Sequence, residues 1–126
     1  ISFINDSKST NIDSVIAALS SLEKNVILIL GGFPKEKDFS KICEHSHKID
    51  KVFAYGDAAQ IINESIGKKI NIEIKKDFVQ VVENSIKSAK NGQIVLLSPG
   101  CSSYDQFNNY IERGNSFKNI VERYYA

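Results

Sequence analysis

The apolar residues of this chain follow two spacings in turn, and this alternation restricts its fold more than any other feature of the sequence. Residues 26–30 form a continuous apolar run, VILIL, which is typical of a strand buried on both faces. Residues 12–22 are instead apolar at every third or fourth position, as on one face of a helix. The alternation continues along the chain and predicts an α/β fold with a mostly parallel sheet.

Five segments are predicted as strands and five as helices. The predicted strands are residues 1–4, 26–30, 52–55, 70–74 and 94–97. The predicted helices are residues 12–22, a short helix around Phe39 and Ile42, residues 61–66, residues 78–89 with Asn91-Gly92 as C-cap, and residues 107–124. Polar residues alternate with isoleucines in residues 70–74, which indicates a strand near the sheet edge. We therefore expect a Rossmann-like three-layer sandwich, with a sheet of five to six strands and helices on both faces.

Length and composition indicate a single soluble domain. The chain has 126 residues, of which 42% are hydrophobic and 25% charged, a mixture typical of globular proteins. A net charge of +1 favours neither nucleic acid nor an anionic membrane as a partner. The two cysteines form no paired motif, so we expect a reducing, cytoplasmic environment. The chain has no Met, even at position 1, which leads us to expect a fragment of a larger protein.

The loops that follow the predicted strands are the candidates for a functional site. In parallel α/β sheets, ligands bind outside the carboxyl ends of the strands, where loops distant in sequence emerge together. We therefore expect one site, formed by residues 5–11, 31–35, 56–57 and 98–103.

The first of these loops is polar throughout and stands just before a predicted helix. Residues 5–11 comprise an acid, a cation, three hydroxyls and two amides. The N–H groups at a helix start attract anions, and Lys8 would strengthen this preference. The alternative is that Ser9, Thr10 or Asn11 only caps the helix.

Two further loops combine small residues with groups that bind carboxylates. Gly31-Gly32 permits a tight turn or a close approach to a ligand. Lys35 would then direct a cation across the strand ends, unless it is only a solvated surface lysine. Residues 98–103 offer hydroxyls and N–H groups to a carboxylate, or else form an ordinary turn in which Ser103 or Asp105 caps the next helix.

Other side chains that often carry chemistry indicate no further site. Cys101 has no suitably placed His, so we interpret it as a small, partly buried cysteine rather than a nucleophile. His45 and His47 are two residues apart, which does not put both on one helical face, and we expect no metal site. The chain has neither a P-loop nor a dinucleotide fingerprint, so any ATP would bind mainly elsewhere.

Four segments of the chain resemble the C-terminal domain of the Mur ligases that add D-glutamate to UDP-N-acetylmuramoyl-L-alanine in peptidoglycan synthesis. These segments are residues 3–11, 30–39, 97–107 and 112–117. They occur in the family's order and spacing and span nearly the whole chain. Residues 5–11 read NDSKSTN where the family characteristically has NDSKATN, so Ser9 is a mild departure. Phe33-Pro34 is also unusual between the glycines and Lys35.

By this resemblance the full enzyme has three domains, and residues 1–126 form the third. The first domain would hold the UDP-sugar and the central one ATP and Mg²⁺, while the third would bind D-glutamate and close over the ATP site. The carboxylate of UDP-N-acetylmuramoyl-L-alanine would become an acyl phosphate, which the amine of D-glutamate attacks with release of phosphate. The isolated domain would then be inactive, and we expect a cytoplasmic monomer.

The resemblance also implies roles for individual residues. Those that would bind D-glutamate are Thr10, Lys35, Ser103, Tyr104 through its N–H, and Tyr110. Those that would face ATP are Asp6, near the ribose, and Lys8, near the phosphates, where it would act in catalysis. No residue of this domain would hold a metal ion. A dicarboxylate needs fixed cations and hydrogen-bond donors, and these residue types supply both.

Two other classes of protein share parts of this pattern. In a phosphoacceptor receiver domain the acceptor follows the third strand, as Asp57 does here. Receivers, however, need an acidic pair after the first strand and a lysine before proline after the last, and this chain has Asn5-Asp6 and Ser98-Pro99 there. A stand-alone module that binds an amino acid or a nucleotide would share every pocket argument and differ only in lacking a catalytic partner.

Overall fold

A computed structural model describes residues 1–125 of the chain. Its strands are β1 (Ser2–Asn5), β2 (Val26–Gly31), β3 (Ile49–Tyr55), β4 (Ile72–Lys75) and β5 (Ile94–Leu97). Its helices are α1 (Ile12–Ser20), α2 (Ala59–Ile66), α3 (Phe78–Ser88) and α4 (Tyr110–Tyr124), with a 3₁₀ helix (Ser40–Lys48) between β2 and β3. Within the described residues, no helix has both the length and the apolarity to cross a membrane.

The five strands pair in parallel, in the order β1-β5-β2-β3-β4. β2 is central and every residue of it is buried, as its continuous apolar sequence predicts. β4 lies at one edge, as predicted, but begins at Ile72 because the N–H of Ile70 still donates to Ile66 at the end of α2. The predicted α/β architecture with a parallel sheet is confirmed.

Helices cover both faces of the sheet, and each face has its own apolar core. α1, the 3₁₀ helix and α2 pack on one face, where Leu28 and Val52 are fully buried. α3 and α4 pack on the other face, where Ile29 and Phe53 are fully buried. Successive residues of a strand point to opposite faces, so β2 and β3 contribute to both cores. Each large apolar side chain buried in this way stabilises the fold by roughly 1.5–3 kcal/mol.

The strand order determines where a ligand can bind. From β1 to β4 the connecting helices lie on one face, and the chain then returns through α3 on the other face to insert β5 between β1 and β2. Right-handed crossovers require this change of face when the direction along the sheet reverses. The helices that follow β1 and β5 therefore lie on opposite faces of the sheet, and in sheets with this change of face ligands bind at the carboxyl edge. Receiver domains have the order 2-1-3-4-5, so this order contradicts that alternative.

The predicted C-cap of α3 is wrong. The helix ends at Ser88, after which Ala89 is extended and its N–H donates to the carbonyls of Ser85 and Ile86. Asn91-Gly92 lies beyond this point, in the turn that leads to β5. The sequence therefore indicates a reversal of the chain correctly but assigns it to the wrong element.

The predicted start of the last helix is also wrong. α4 begins at Tyr110 because Asn109 is its N-cap, with Oδ1 accepting from the N–H of Glu112 at 2.8 Å. Phe107 precedes the helix, yet its ring packs edge-on against Phe78 with the centroids 5.1 Å apart. An apolar residue in a loop thus extends the apolar pattern of a helix beyond the helix itself.

Candidate functional site

Three loops meet at the carboxyl edge of the sheet. We name residues 6–11 the first loop, residues 32–39 the second loop and residues 98–109 the third loop. They follow β1, β2 and β5, which are neighbours in the sheet. The N–H of Gly100 in the third loop donates to the carbonyl of Ser9 in the first at 3.0 Å. The first and third loops are therefore bonded to each other beyond the ends of their strands.

The second loop is bonded to the third loop and to the first residue of α1, which directly follows the first loop. Glu36 accepts through Oε1 from the N–H of Ile12, the first residue of α1, at 3.0 Å. Phe33 and Ser102 exchange two backbone hydrogen bonds, of 2.9 and 3.0 Å. Three of the four loops predicted to form one site are thus linked by hydrogen bonds, the second to the first through Ile12 at the start of α1.

Gly31 and Gly32 serve the packing of these loops rather than an approach to a ligand. Their φ angles are +144° and +122°. A Cβ on Gly31 would lie 2.3 Å from the carbonyl oxygen of Tyr55, and one on Gly32 would lie 2.3 Å from that of Ser102. Both distances are far below van der Waals contact, so the close approach of these backbones requires glycine at both positions.

Asp6 fixes the first loop to the end of β5. Its N–H donates to the carbonyl of Leu97 at 2.7 Å, and its Oδ2 accepts from Ser98 Oγ at 3.0 Å. These bonds continue the pairing of β1 with β5 past the last residues of both strands. Asp6, predicted to face the ATP ribose, is half-buried and held in one position.

The N-terminus of α1 is already occupied by side chains of this chain. Asn11 is the N-cap, and its Oδ1 accepts from the N–H of Ser14 at 2.9 Å. Glu36 accepts from the N–H of Ile12 and places a carboxylate at the positive end of the helix. The predicted attraction of this helix start for an anion is therefore largely satisfied internally. A bound anion would depend on the lysines of the first and second loops.

Lys8 and Tyr110 lie together, although they are far apart in the sequence. They line a cavity of about 230 Å³ between the first loop and α4, together with Asn5, Ser7 and Gly114. Ser7 Oγ donates to the carbonyl of Tyr110 at 2.7 Å, which joins the loop to the first turn of α4. The Lys8 side chain is exposed, so a cation stands at this cavity.

The remaining residues predicted to bind D-glutamate lie on these three loops. Ser103 is buried, whereas 72% of the adjacent Tyr104 is exposed. The backbone N–H of Tyr104 has no backbone acceptor within the described residues. Lys35 is exposed and precedes Glu36, which contacts α1 two residues after Thr10. The structure therefore places these residues on loops at one edge of the sheet. Tyr110 instead begins α4 and lines the cavity beside Lys8, to which Thr10, Lys35, Ser103 and Tyr104 do not contribute.

The third loop forms a tight turn at the predicted carboxylate-binding position. The carbonyl of Ser103 accepts from the N–H groups of Gln106 and Phe107 at 3.2 and 2.8 Å. Gln106 Oε1 also accepts from the N–H of Phe78, the first residue of α3, at 2.9 Å. Neither Ser103 nor Asp105 caps α4, so that alternative is wrong, but the turn itself is present.

Burial alters the titration of two groups in the third loop. Cys101 is fully buried, and burial raises the pKa of its thiol to about 12. The thiol is therefore protonated at neutral pH, and the cysteine predicted to be partly buried is fully buried. Burial also raises the pKa of the Asp105 carboxyl, and the nearby charge of Asp57 adds to this effect. In the part of the chain that the structure describes, no group of three or more His, Cys, Asp or Glu is arranged to hold a metal ion.

Arg113 lies between the first and third loops and against the base of the second, although the sequence predicts no role for it. It is fully buried, and its guanidinium donates to Ser7 Oγ, to the Ser7 carbonyl and to the Cys101 carbonyl at 2.9, 2.7 and 3.0 Å. The signal in the sequence is its spacing. Arg113 falls on the same helical face as Phe117 and Ile120, so a charge interrupts an otherwise apolar face.

Comparison with protein families and curated proteins gives consistent matches. Residues 1–101 match the family described as Mur ligase, glutamate ligase domain. The chain is 42% identical over 124 residues to the UDP-N-acetylmuramoylalanine–D-glutamate ligase of Caldicellulosiruptor saccharolyticus. It is 39% identical over 123 residues to that of Protochlamydia amoebophila and 41% over 122 residues to that of Francisella tularensis subsp. tularensis. These matches cover 96%, 97% and 94% of the chain but 27%, 28% and 29% of the relatives, so the chain spans less than a third of their length.

A solved structure has a similar fold. It is a domain of a Haemophilus ducreyi protein described as a UDP-N-acetylmuramate:L-alanyl-gamma-D-glutamyl-meso-diaminopimelate ligase. The TM-score is 0.51 and the identity 14%, with 96% of this chain and 82% of that chain covered. At this identity the likeness supports the α/β fold alone.

Proposed function

The chain belongs to the glutamate ligase domain family of the Mur ligases, and from this premise we propose that it binds D-glutamate within a ligase of peptidoglycan synthesis. The observation that carries the proposal is the connection of the three loops by hydrogen bonds. On these linked loops the cation of Lys35 would face the hydroxyl and N–H donors of the first and third loops. The relatives that match nearly the whole chain are named for D-glutamate.

The chemistry of these loops suits a dicarboxylate. Lys35 and Ser103 would hold the two carboxylates of D-glutamate, while Thr10 and the N–H of Tyr104 would supply further donors. By the family resemblance Tyr110 would also contact D-glutamate, from the cavity that it lines with Lys8. Hydrogen bonds from a charged donor to a carboxylate are about twice as strong as neutral ones, so Lys35 would contribute most to affinity. The absence of a backbone acceptor for Tyr104 within residues 1–125 leaves that donor available to a ligand.

The first loop would face ATP. Lys8 stands exposed at the cavity beside α4, and a lysine is a flexible point charge suited to phosphate oxygens. Asp6 is held by Leu97 and Ser98, so its carboxylate has a fixed position from which to accept hydrogen bonds from ribose hydroxyls. The remainder of the ligase would bind most of the ATP and its Mg²⁺, since the chain has no P-loop.

In the whole ligase, ATP would supply the phosphoryl group that activates the carboxylate of UDP-N-acetylmuramoyl-L-alanine. The amine of D-glutamate would form the new C–N bond, while the C–O bond to phosphate breaks and the nitrogen loses a proton. This domain would contribute mainly by positioning the amine, which lowers a barrier by roughly 7–11 kcal/mol in favourable cases. We expect the whole ligase to act as a monomer in the cytoplasm.

An NMR titration of the ¹⁵N-labelled chain with D-glutamate tests the amino-acid site directly. We expect the amide resonances of Thr10, Lys35, Ser103 and Tyr104 to shift with D-glutamate and not with L-glutamate. Equal shifts with both enantiomers would favour a general amino-acid-binding module. Shifts confined to residues outside the three loops would contradict the proposed site.

A pair of lysine variants sharpens this test. Lys35→Ala removes the cation assigned to a carboxylate, and Lys37→Ala removes an exposed lysine two residues further along the same loop. A charge-assisted hydrogen bond is worth about 1.5–3 kcal/mol, so we expect Lys35→Ala to weaken D-glutamate binding by roughly tenfold or more. Lys37→Ala should leave binding within about twofold of the wild type. An equal loss in both variants would indicate only a general effect of surface charge.

A further inference from the structure

We propose that Arg113 is a positioning residue of this site, which sets the first loop against the third and so fixes the donors that both loops present to the ligand. The identity of the ligand rests on the proposed function. The coupling between the loops rests on the structure alone and is testable without a ligand.

The guanidinium of Arg113 reaches all three loops. Its Nε and Nη2 donate to the side chain and the carbonyl of Ser7 in the first loop, and its Nη1 donates to the carbonyl of Cys101 in the third. Ser7 Oγ, which accepts from Arg113, in turn donates to the carbonyl of Tyr110. A Cβ on Gly32 would lie 3.3 Å from Nη1, so the guanidinium also lies against the base of the second loop.

The atoms that Arg113 holds lie next to the residues assigned to binding. Ser7 directly precedes Lys8, and Cys101 lies two residues before Ser103. Any shift of the Ser7 or Cys101 carbonyl would therefore be transmitted along the backbone to the cation of the first loop and the turn of the third. Arg113 touches no assigned ligand atom itself, so its influence acts through these neighbours.

The cost of burying this charge argues for more than packing. Arg113 has no carboxylate within salt-bridge distance in residues 1–125, and neutral oxygens alone receive its hydrogen bonds. A buried charge without an opposite charge is unfavourable, and apolar residues of similar volume often stabilise a core better. A planar guanidinium, however, donates in several fixed directions at once, whereas a lysine donates from a single nitrogen. An arginine is therefore suited to holding the backbones of the first and third loops at a fixed distance.

Arginine and core variants of the ¹⁵N-labelled chain test the proposal. Arg113→Lys keeps the charge but loses the planar fork, and Phe117→Leu disturbs the same face of α4 one turn further on without touching the loops. Hydrogen exchange of the Gly100 N–H, which joins the first and third loops, is measured relative to that of Leu28 in the central strand. Binding of D-glutamate is measured on the same samples, and thermal midpoints show how much each variant destabilises the fold.

We expect Arg113→Lys to accelerate exchange at Gly100 at least tenfold relative to Leu28 and to weaken D-glutamate binding at least tenfold. Phe117→Leu should leave both within about twofold at a comparable loss of thermal midpoint. Wild-type exchange and affinity in Arg113→Lys, or equal changes in both variants, would overturn the proposal.

Two further outcomes keep the proposal separate from the proposed function. If the wild-type chain does not bind D-glutamate, the proposed ligand is wrong, and the exchange ratio at Gly100 still decides whether Arg113 couples the loops. If Arg113→Lys does not fold, the Nε–H resonance of Arg113 in the wild type replaces it. That resonance should be protected from exchange and should shift when D-glutamate is added, and an unprotected, unshifted resonance would count against the proposal.

Discussion

The two edges of the sheet use the same backbone conformation for different purposes. Gly32, at the carboxyl edge, has φ +122°, and a Cβ there would lie 2.3 Å from the carbonyl oxygen of Ser102. Gly92, at the amino edge before β5, has φ +90°, yet no atom lies within 4 Å of the position of its Cβ. Positive φ thus allows loops to pack closely at one edge, whereas at the other it only reverses the chain.

The loops at the two edges of the sheet also differ in burial. All of residues 98–103 are buried, as deeply as the strand they follow, whereas residues 90–92 before the same strand are exposed. Loops are usually exposed and variable, and those that carry function need a rigid support. The difference indicates that the carboxyl edge is built as part of the core, with the predicted binding groups placed at its surface.

The largest effect we expect comes from alanine at Gly32. Gly32→Ala combines strain at positive φ with a clash against Ser102, and the two together should cost roughly 2–6 kcal/mol of the free energy of unfolding. Gly92→Ala makes the same substitution at positive φ with free space around it, so strain alone should cost about 1–2 kcal/mol. Urea denaturation of both variants measures the difference. Equal losses would show that the clash is relieved and that the two edges do not differ in packing.

The elements of the fold were largely predictable because they depend on local periodicity. The apolar run at residues 26–30 identifies a strand buried on both faces, and β2 is fully buried. The strand order was not predictable, because the insertion of β5 between β1 and β2 depends on pairing between residues far apart in sequence. Asn91-Gly92 shows the limit within one element, since a turn signal does not reveal whether it ends a helix or precedes a strand.

The candidate site was predictable as a set of loops but not as a set of contacts. The rule that ligands bind at the carboxyl ends of parallel strands identifies the loops, and hydrogen bonds join them as expected. The contact of Glu36 with the N–H of Ile12 is tertiary, and no local pattern indicates it. Arg113 is visible in the sequence as a charge on an apolar face and as part of the resembling segment 112–117, but neither observation indicates its contacts. The binding roles of Lys35 and Ser103 stay predictions.

Two serines of the first loop should respond to alanine with opposite signs. Ser7 Oγ accepts from Arg113 and donates to the carbonyl of Tyr110, so Ser7→Ala leaves a buried cation short of an acceptor and should cost about 1–3 kcal/mol. Ser9 Oγ is buried without a hydrogen-bond partner within the described residues, so Ser9→Ala should stabilise the fold by about 1 kcal/mol. Denaturation midpoints at one pH compare the two. If Ser9→Ala instead destabilises the fold, the Ser9 hydroxyl makes a hydrogen bond in the folded protein.

The smallest effect we expect is a difference between the edges in the pH dependence of stability. At the carboxyl edge, burial raises the pKa of Asp105 above its ordinary 3.8. The folded state therefore holds this proton more tightly, and the contribution of Asp105 to stability is present below pH 3.8 and is lost as pH rises through the raised pKa. Near the amino edge, burial first and the charge of Lys48 second lower the pKa of His45 below its ordinary 6.5. Its contribution is present above pH 6.5 and is lost as pH falls through the lowered pKa.

Asp105→Asn and His45→Gln separate these two contributions. Relative to the wild type, Asp105→Asn should gain stability as pH rises above 3.8, because the variant has no half-buried carboxylate to ionise. His45→Gln should gain stability as pH falls below 6.5, because it has no partly buried imidazole to protonate. Glu122→Gln, which removes an exposed carboxylate from α4, controls for the change in net charge. If Asp105→Asn and Glu122→Gln give the same profile between pH 3 and 8, solvent reaches Asp105 and the third loop is looser than its buried backbone implies. If only Asp105→Asn changes the slope of stability against pH, the Asp105 side chain, which lies against Gly56, is shielded from solvent as the buried residues of the third loop are.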